Sequence, residues 1–270
     1  MRWLIVGCGY TGGALARAAI ARGDDVVVVR RNAAAASALA AELGPRAVAL
    51  AADLAAAPLP EAPAGTIAVH LAPPGRDPAR EAANLVAAAP ARVVYVSSTG
   101  VYAPAGGAWV DEAFPTEPAT ASGRARLAAE RAIVAAAPSA VLLRAAGIHG
   151  PGRGIADRLR AGTYRIVGDG SAHVSRVHVD DLVAAILAAG RSGVTGAINV
   201  ADDDPAPIGA VADAVAAALG LPPPPRVSPA TVDPEIAGML GADRRIANRR
   251  LRDELGVELR YPSWRALLAR

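Results

Sequence analysis

The sequence lacks lysine altogether, so all 28 of its basic residues are arginine. Arginine stays protonated at every pH at which a protein works, whereas a buried lysine can lose its proton and act as a nucleophile. The absence of lysine therefore excludes Schiff-base chemistry. It also excludes the nucleotide-binding P-loop, which requires a lysine to reach the phosphates.

Cysteine, aromatic residues and long apolar runs are also scarce. Cys8 is the only cysteine, so the chain cannot form an internal disulfide, which fits a reducing cytoplasm. Aromatics make up 3% of the residues and the arginines are scattered, so no basic stripe for nucleic acid is formed. No apolar run approaches the roughly 20 residues that span a bilayer. We therefore expect a cytoplasmic protein that binds neither nucleic acid nor a membrane.

The same scarcity bears on metals, because the four histidines and Cys8 have no metal-ligand spacing. We predict no metal site.

What the sequence does contain is enough apolar material for a large core, since 53% of its 270 residues are hydrophobic. Short apolar runs alternate with Ala-rich segments of helical spacing, and this alternation predicts an α/β Rossmann fold with a doubly wound parallel sheet. The predicted strands are 3–7, 25–30, 47–52, 66–72, 92–98 and 140–145. The predicted helices between them are 12–22, 33–43, 78–89 and 122–137.

After residue 145 this alternation breaks down. The segment 147–154, "GIHGPGRG", is predicted to be a loop, followed by a strand at 197–202. Further helices are predicted near 154–161, 180–190, 207–219 and 246–255. We expect an NAD(P)-binding Rossmann domain at 1–145 and a smaller substrate-binding lobe at 146–270, with the strand and helix near 178–202 returning to the Rossmann sheet.

A glycine motif follows the first predicted strand. In "GCGYTGG", Gly7, Gly9 and Gly12 have the G-x-G-x-x-G spacing, and Tyr10 and Thr11 lie between the last two. The first glycine makes the turn, the second lets a pyrophosphate approach the backbone, and the third lets the helix pack on the strand. The motif predicts a dinucleotide site; the alternative is a tight turn without a ligand.

The second strand ends with Arg30 and Arg31, where an NAD site usually has an acidic residue that accepts from the ribose hydroxyl. Two guanidinium groups suit a 2′-phosphate, so we predict NADP as the cofactor, with NAD as the alternative. Two solvated arginines would give the same sequence. Asp53, after the third strand, is a candidate acceptor for the adenine amino group; the alternative is that it only caps a loop.

With these motifs in place, the chain resembles the atypical and extended short-chain dehydrogenases/reductases of the NAD-dependent epimerase/dehydratase group over nearly its whole length. The segments "GCGYTGG", "VVYVSSTGVY", "VLLRAAGIHGPGR" and "GDGSAHVSRVHVDDLVAAIL" carry the resemblance, which is strongest to YeeZ-like members. It implies that Ser98 is the catalytic Ser/Thr and that Thr99 lies beside the substrate. It further implies that His70, Leu71, Ala72 and Pro73 line the nicotinamide side and that Ile148 offers its backbone to the carboxamide.

Two positions depart from the pattern of this group. Ser122 stands where the resemblance implies a Tyr that relays a proton, and Arg126 stands where it implies a Lys that holds the ribose. A Tyr hydroxyl has a pKa near about 10 that a neighbouring cation can lower towards neutrality, whereas a Ser hydroxyl starts far too high. The sequence therefore predicts that Arg126 still binds the ribose while the usual proton relay is missing.

Other residues are candidates for the missing chemistry. Tyr102 and His149 are candidate acids, although packing and a neutral loop histidine are the alternatives. Arg153 and Arg176 are candidate clamps for an anionic substrate, or surface charges.

Two functions remain open from the sequence. One is an NADP-binding oxidoreductase or epimerase-like enzyme that acts on a small polar substrate. The other is a non-catalytic NADP-binding regulatory or partner-binding protein. The sequence leaves both a monomer and a homodimer open.

Overall fold

The computed structural model describes residues 1–268, and its elements follow the alternation of the sequence. The strands are β1 Arg2–Val6, β2 Asp25–Arg30, β3 Ala47–Ala51, β4 Thr66–His70, β5 Arg92–Ser98, β6 Trp109–Val110, β7 Val141–Ala145, β8 Gly147–His149, β9 Ile166–Val167, β10 His173–Val174, β11 Arg176–His178, β12 Gly196–Val200, β13 Ala206–Pro207, β14 Arg226–Val227 and β15 Arg245–Ile246. The α-helices are α1 Tyr10–Ala21, α2 Ala33–Leu43, α3 Pro78–Val86, α4 Ala121–Ala136, α5 Ile155–Arg160, α6 Val179–Arg191, α7 Ile208–Ala218, α8 Pro234–Leu240 and α9 Arg249–Asp253. Within residues 1–268, no helix is long and apolar enough to cross a membrane.

The central sheet has seven parallel strands in the order β12-β7-β5-β4-β1-β2-β3. The chain moves outward from β1 in one direction through β2 and β3, and then in the other direction from β4. This change of direction leaves a crevice at the carboxyl ends of β1 and β4, where open α/β sheets bind their ligands. The α/β Rossmann fold predicted from the sequence is confirmed.

Alternate side chains of each strand enter two separate cores, one on each face of the sheet. Trp3 and Ile5 of β1 pack on one face with residues of α1, α2 and α6, and Leu4 and Val6 pack on the other with residues of α3 and α4. Every residue of β4 and β7 is buried, as expected for strands covered on both faces. The Ala-rich helices thus lie close to the sheet on both sides.

A separate small core forms beyond the carboxyl ends of the strands. It joins α5, α7 and Trp264 around the fully buried Val211 and Val215. The predicted strand near 197–202 is β12, which pairs with β7 in the central sheet. The division into domains at residue 145 stays a prediction.

Two predictions about the second half of the chain were wrong. Gly147–His149, predicted as a loop, is strand β8, which pairs in parallel with Arg176–His178. Three residues give too short a pattern to identify a strand without its partner 29 positions away. The helix predicted at 246–255 is also shorter, because Ile246 belongs to β15 and α9 begins only at Arg249.

Candidate functional site

A cavity of about 850 Å³ lies at the carboxyl ends of the strands, in the crevice between β1 and β4. The structure brings every predicted cofactor-binding residue to its walls: Gly7, Gly9, Tyr10, Thr11, Gly12, Arg30, Arg31, Asp53, Leu71, Ala72, Pro73, Arg126 and Ile148. These residues come from six segments spread over 142 positions of sequence. We call this space the first cavity.

The glycine loop lines the first cavity, and a different physical reason accounts for the glycine at each of its three positions. Gly7 has φ +90°, and a Cβ there would lie 2.6 Å from the backbone nitrogen of Ala72. A Cβ on Gly12 would lie 2.7 Å from the carbonyl oxygen of Gly7. A Cβ on Gly9 would meet no protein atom within 4 Å among the described residues. Gly7 and Gly12 are therefore required by packing, whereas Gly9 keeps a space open that a phosphate can fill.

The two arginines after β2 differ in their surroundings. Arg30 is half-buried, and its guanidinium donates to the carbonyl of Cys8 through Nε, at 2.6 Å, and through Nη2, and to the carbonyl of Ala35 at 3.4 Å. Arg30 therefore braces the glycine loop against the start of α2. Arg31 is exposed at the cavity wall. Asp53 is exposed too, and its Oδ1 accepts from the backbone of Ala55 at 3.0 Å, so it does cap its loop.

Buried polar groups line the opposite end of the first cavity. Burial, and then the charge of Arg126, lower the pKa of His70 from 6.5 to about 4, so this imidazole is neutral at pH 7. Its Nδ1 and the Ser97 hydroxyl are buried without a hydrogen-bond partner among the described residues. Ser98 accepts from the backbone of Gly100 at 3.0 Å. Polar atoms therefore converge where the resemblance implies the nicotinamide.

Arg126 is held firmly at this end. Its Nη1 donates to the Tyr95 hydroxyl at 3.1 Å, to the Val96 carbonyl at 3.2 Å and to the Ala72 carbonyl at 3.4 Å. Because these bonds use a single nitrogen, the rest of the guanidinium remains available at the cavity wall. The position suits the ribose-binding role predicted for Arg126.

A second cavity of about 490 Å³ adjoins the first. Pro73, Ser98 and Arg126 line both, so the two spaces meet at the carboxyl end of β5. The predicted substrate residue Thr99 lines the second cavity only, as does Ser122. The arrangement gives a long cavity for a dinucleotide and a smaller one for a second molecule.

Ser122 is engaged by the C-terminal part of the chain. The carboxylate of Glu235, on α8, accepts from the backbone amides of Ala121 and Ser122 at 2.9 Å each, and from the Ser122 hydroxyl. These bonds to Ser122 and Ala121 lower the pKa of Glu235. The carboxylate caps the first turn of α4, where a helix has unpaired amides. Ser122 therefore has a structural partner and no neighbouring base of raised pKa.

The structure does not bring Tyr102, a predicted candidate acid, to either cavity. Its side chain is fully buried and lines neither cavity; it donates to Asn199 at 2.7 Å and accepts from Arg144 at 3.0 Å. Burial raises its pKa to about 12, although Arg144 opposes the shift. Arg144 in turn makes a two-pronged bond to Glu130 at 2.8 and 3.0 Å. Tyr102 belongs to a buried network that ties α4 to the sheet.

The structure does not bring the candidates His149 and Arg176 to either cavity. Both side chains are buried and line neither cavity, because β8 and β11 pair and turn them inward. Burial, followed by the charges of His178 and Arg176, lowers the pKa of His149 to about 4. Arg176 donates to the carbonyl of Val174 at 3.0 Å. Arg153 does reach a cavity, but it is the first one, with its guanidinium 5.3 Å from the Tyr10 ring centre.

The structure also reveals site residues that the sequence reasoning missed. His173, Asp243 and Arg244 line the second cavity, and Glu235 caps α4. Asp243 lies 70 positions after its partner His173, so no local spacing could have paired them. Across residues 1–268, no group of three or more His, Cys, Asp or Glu side chains is placed to hold a metal ion.

Comparison with known proteins agrees with this geometry. Residues 3–201 match the NAD dependent epimerase/dehydratase family. The chain belongs to this family. A relative from a Streptomyces species, 3-diazoavenalumate denitrifying reductase, is 36% identical over 173 residues, which is 60% of this chain. The match spans 56% of that relative's length.

Solved structures of family members share the fold over nearly the whole chain. A conserved protein of unknown function from Silicibacter pomeroyi DSS has a TM-score of 0.85 at 33% identity, covering 99% of this chain and 96% of that one. The human epimerase family protein SDR39U1 (isoform 2), solved with NADPH, has a TM-score of 0.80 at 23% identity, covering 99% and 98%. MoeE5, solved with UDP-glucose and NAD, has a TM-score of 0.79 at 23% identity, covering 99% and 96%.

Proposed function

We propose that this protein binds NADP(H) and reduces a small polar substrate. The observation that carries the cofactor assignment is the exposed Arg31 at the wall of the first cavity, with Arg30 beside it and no acidic residue at the end of β2. Related folds contain NADPH in SDR39U1 and NAD in MoeE5. Arg31 is our reason for choosing NADP, since an exposed guanidinium can form a charge-assisted hydrogen bond with a 2′-phosphate, which a ribose hydroxyl does not offer.

The residues present fit such a cofactor. The open space at Gly9 would take the pyrophosphate, Arg31 the 2′-phosphate and Asp53 the adenine amino group. Arg126 would hold the nicotinamide ribose, and Ile148 would offer its backbone to the carboxamide. When bound, the reduced cofactor supplies a hydride, two electrons and a proton nucleus together, to the substrate and is itself oxidised.

The second cavity is the proposed substrate site, and its charges favour an anionic or strongly polar substrate. Arg126 and Arg244 both line it, and Asp243 is its acidic residue. Arg244 donates to the backbone carbonyls of Tyr102 and Ala103 at 2.6 and 2.9 Å through Nη2 and Nε, which leaves Nη1 for a ligand. Arg244 thus replaces Arg176 as the proposed anion clamp. Ser98, shared by both cavities, is placed to donate to a substrate oxygen.

The first test measures cofactor preference. Arg31→Ala should weaken NADPH binding by about 10- to 100-fold, the loss of one charge-assisted hydrogen bond to phosphate, and leave NADH binding unchanged. Fluorescence titration of both cofactors gives the two affinities. Arg22→Ala, which removes the same charge at the far end of α1, is the matched control and should change neither affinity. Equal affinities for NADPH and NADH in the parent protein would remove the basis of the NADP assignment.

Arg30→Ala should behave differently from Arg31→Ala. Because Arg30 braces Cys8 and Ala35, its loss should weaken both cofactors by loosening the glycine loop.

A further prediction separates the two residues that replace the Tyr/Lys pair. Arg126→Ala should weaken NADP(H) binding by about 1 to 3 kcal/mol, whereas Ser122→Ala should leave that affinity nearly unchanged. Arg131→Ala, an exposed arginine on the same helix, is the control. Turnover in Ser122→Ala should fall by less than the roughly 10²- to 10⁴-fold expected for a lost general acid. Abolition of a robust activity by Ser122→Ala would contradict the lost relay.

A second candidate function follows from the named relative together with the missing relay. When hydride replaces the N₂ group of an aryl diazonium ion, the C–N bond breaks, a C–H bond forms, and the products are an arene and N₂. This reaction needs no proton donor. A site without the Tyr/Lys pair suits that reaction. NADPH oxidation with a carboxylated benzenediazonium salt, accompanied by an equal amount of N₂, would support it.

The remaining alternative is a non-catalytic NADP-binding protein. Measurements of NADPH binding and of NADPH oxidation distinguish it from an enzyme. Tight NADPH binding without consumption of NADPH by any carbonyl compound or diazonium salt would favour a regulatory role. We place the protein in the cytoplasm, where Cys8 stays reduced and NADPH is available.

A further inference from the structure

The second cavity contains a histidine and a carboxylate joined by a hydrogen bond. His173 Nδ1 lies 2.9 Å from Asp243 Oδ1, and the backbone nitrogen of His173 donates to the same oxygen at 2.7 Å. Burial raises the pKa of Asp243, but the hydrogen bonds from His173 outweigh it and hold that pKa below its usual range. A carboxylate that stays ionised fixes which ring nitrogen of its histidine partner carries the proton.

The other ring nitrogen of His173 is free. Within residues 1–268, Nε2 makes no hydrogen bond, and it is not among the buried unpaired atoms, so it is accessible; His173 itself lines the second cavity. Ser98, Thr99 and Arg126 line that cavity as well. The histidine therefore shares a space with the groups that lie at the nicotinamide end of the first cavity.

We propose that His173, positioned by Asp243, exchanges the proton with the substrate in place of the missing Tyr. This inference rests on the proposed function and adds the proton donor that it lacks. In the reduction, hydride forms a bond to the carbonyl carbon, the C=O π bond breaks, and the oxygen takes the proton from Nε2 of the imidazolium. Water then returns a proton to Nε2, and in the reverse direction the neutral Nε2 is the acceptor.

The other ionisable groups near the site do not meet these requirements. Ser122 is bonded to Glu235. Tyr95, whose hydroxyl accepts from Arg126, is fully buried, and burial raises its pKa despite that neighbour. His70 is kept neutral in the wall of the first cavity. His173 alone among these combines a free nitrogen with an ionised partner.

Charged groups surround the hydrogen-bonded pair of His173 and Asp243, and a pH profile must be interpreted with their charges in mind. Asp243 and Arg244 come from the segment before β15, Arg245 lies on β15, and Arg126 faces the cavity from α4. Arginines remain charged throughout the accessible range, so a change in the pH profile on replacing His173 reports on His173 and its partner Asp243.

The experiment uses the full chain with NADPH and a panel of carbonyl probes: 9,10-phenanthrenequinone, 2-keto acids and aromatic aldehydes. His173→Gln should lower kcat for the best probe by about 10²- to 10⁴-fold and abolish the loss of rate at alkaline pH. NADPH affinity should stay within about twofold. The matched control is His149→Gln, a histidine that lines neither cavity, and it should keep the pH profile of the parent. Asp243→Asn should lower kcat and move that profile.

A readout independent of turnover comes from ¹⁵N NMR of labelled histidines, with His173 assigned by the signal missing in His173→Gln. At alkaline pH its neutral ring should carry the proton on Nδ1, and Asp243→Asn should move the proton to Nε2. If the neutral ring of His173 in the parent protein carries its proton on Nε2, the proposed role of Asp243 in positioning His173 is wrong.

The outcomes separate this inference from the proposed function. NADPH-dependent reduction that survives His173→Gln with its pH profile intact overturns the role of His173 and leaves the proposed function standing. Absence of NADPH binding, or of reduction of every carbonyl probe by the parent protein, counts against the proposed reduction of carbonyl substrates and removes the role of His173 with it. Loss of rate accompanied by loss of NADPH affinity would also overturn it, since the effect would then lie in the cofactor site.

Discussion

Glu130→Ala is expected to lower the free energy of unfolding by about 3 to 5 kcal/mol, the cost of leaving a buried charge without its partner. Glu130 on α4 and Arg144 on β7 bond through both carboxylate oxygens, and their side chains are only 3% and 8% exposed. Without Glu130, the Arg144 guanidinium stays buried, and the Tyr102 hydroxyl is its one remaining hydrogen-bond partner among residues 1–268. Urea or guanidinium unfolding at pH 7 measures the difference.

The matched control is Glu42→Ala. Glu42 also pairs with an arginine, Arg17, at 2.6 Å, but both side chains are more than half exposed. Solvent screens that pair, so its loss should cost less than about 1 kcal/mol. Equal losses in the two variants would mean that burial does not decide the strength of the Glu130 pair. Because α4 carries Ser122 and Arg126, loosening it should also weaken NADPH binding.

Two buried histidines should each lower the stability of the folded protein as the pH falls from 6.5 to 4. His70 and His149 are buried, and the pKa of each is lowered from 6.5 to about 4, so below pH 6.5 the unfolded chain binds protons that the folded chain does not. The stability that both neutral imidazoles contribute is therefore present above pH 6.5 and lost as the pH falls towards 4. From pH 7.5 to 4.5 each should account for about 2 to 3 kcal/mol.

Unfolding of the cofactor-free protein at the two pH values tests this expectation. His149→Gln should reduce the loss by about 2 to 3 kcal/mol, because glutamine does not titrate. His70→Gln should do the same, and the double variant should combine both effects, since the two residues lie in separate parts of the core. A pH dependence that is the same in the parent and in His149→Gln would show that His149 is protonated in the folded state.

Local pattern was enough to predict the first half of the fold. The six strands from β1 to β7 that belong to the central sheet lie within two residues of the predicted ranges, because a strand buried on both faces needs a continuous apolar run. Near residue 147 the same reasoning failed, because β8 has three residues and is stabilised by its pairing with β11 rather than by its own composition.

The walls of the first cavity were predictable for a related reason. Gly7, Gly9, Gly12, Arg30 and Arg31 lie where strands end, and in a parallel sheet all strand ends on one side meet. The order of strands and loops along the chain was therefore sufficient to predict that these residues meet.

The second cavity depended on tertiary structure. Tyr102 and His149 follow the ends of β5 and β7 in the sequence, yet the side chains of both are buried in the core. Which way a side chain faces beyond the end of a strand depends on packing that local spacing does not encode.

The sequence by itself therefore determined the fold class, the glycine loop, the arginine pair, and the serine and arginine at positions 122 and 126, since each of these is a property of residues close together in the chain. Only the tertiary structure decided that Glu235 caps the helix carrying Ser122, that Arg126 is held by three oxygens, and that His173 meets Asp243. Those contacts join residues separated by 30 to 114 positions, and the contacts of Glu235 and Asp243 further depend on how the C-terminal segments pack against the rest of the chain.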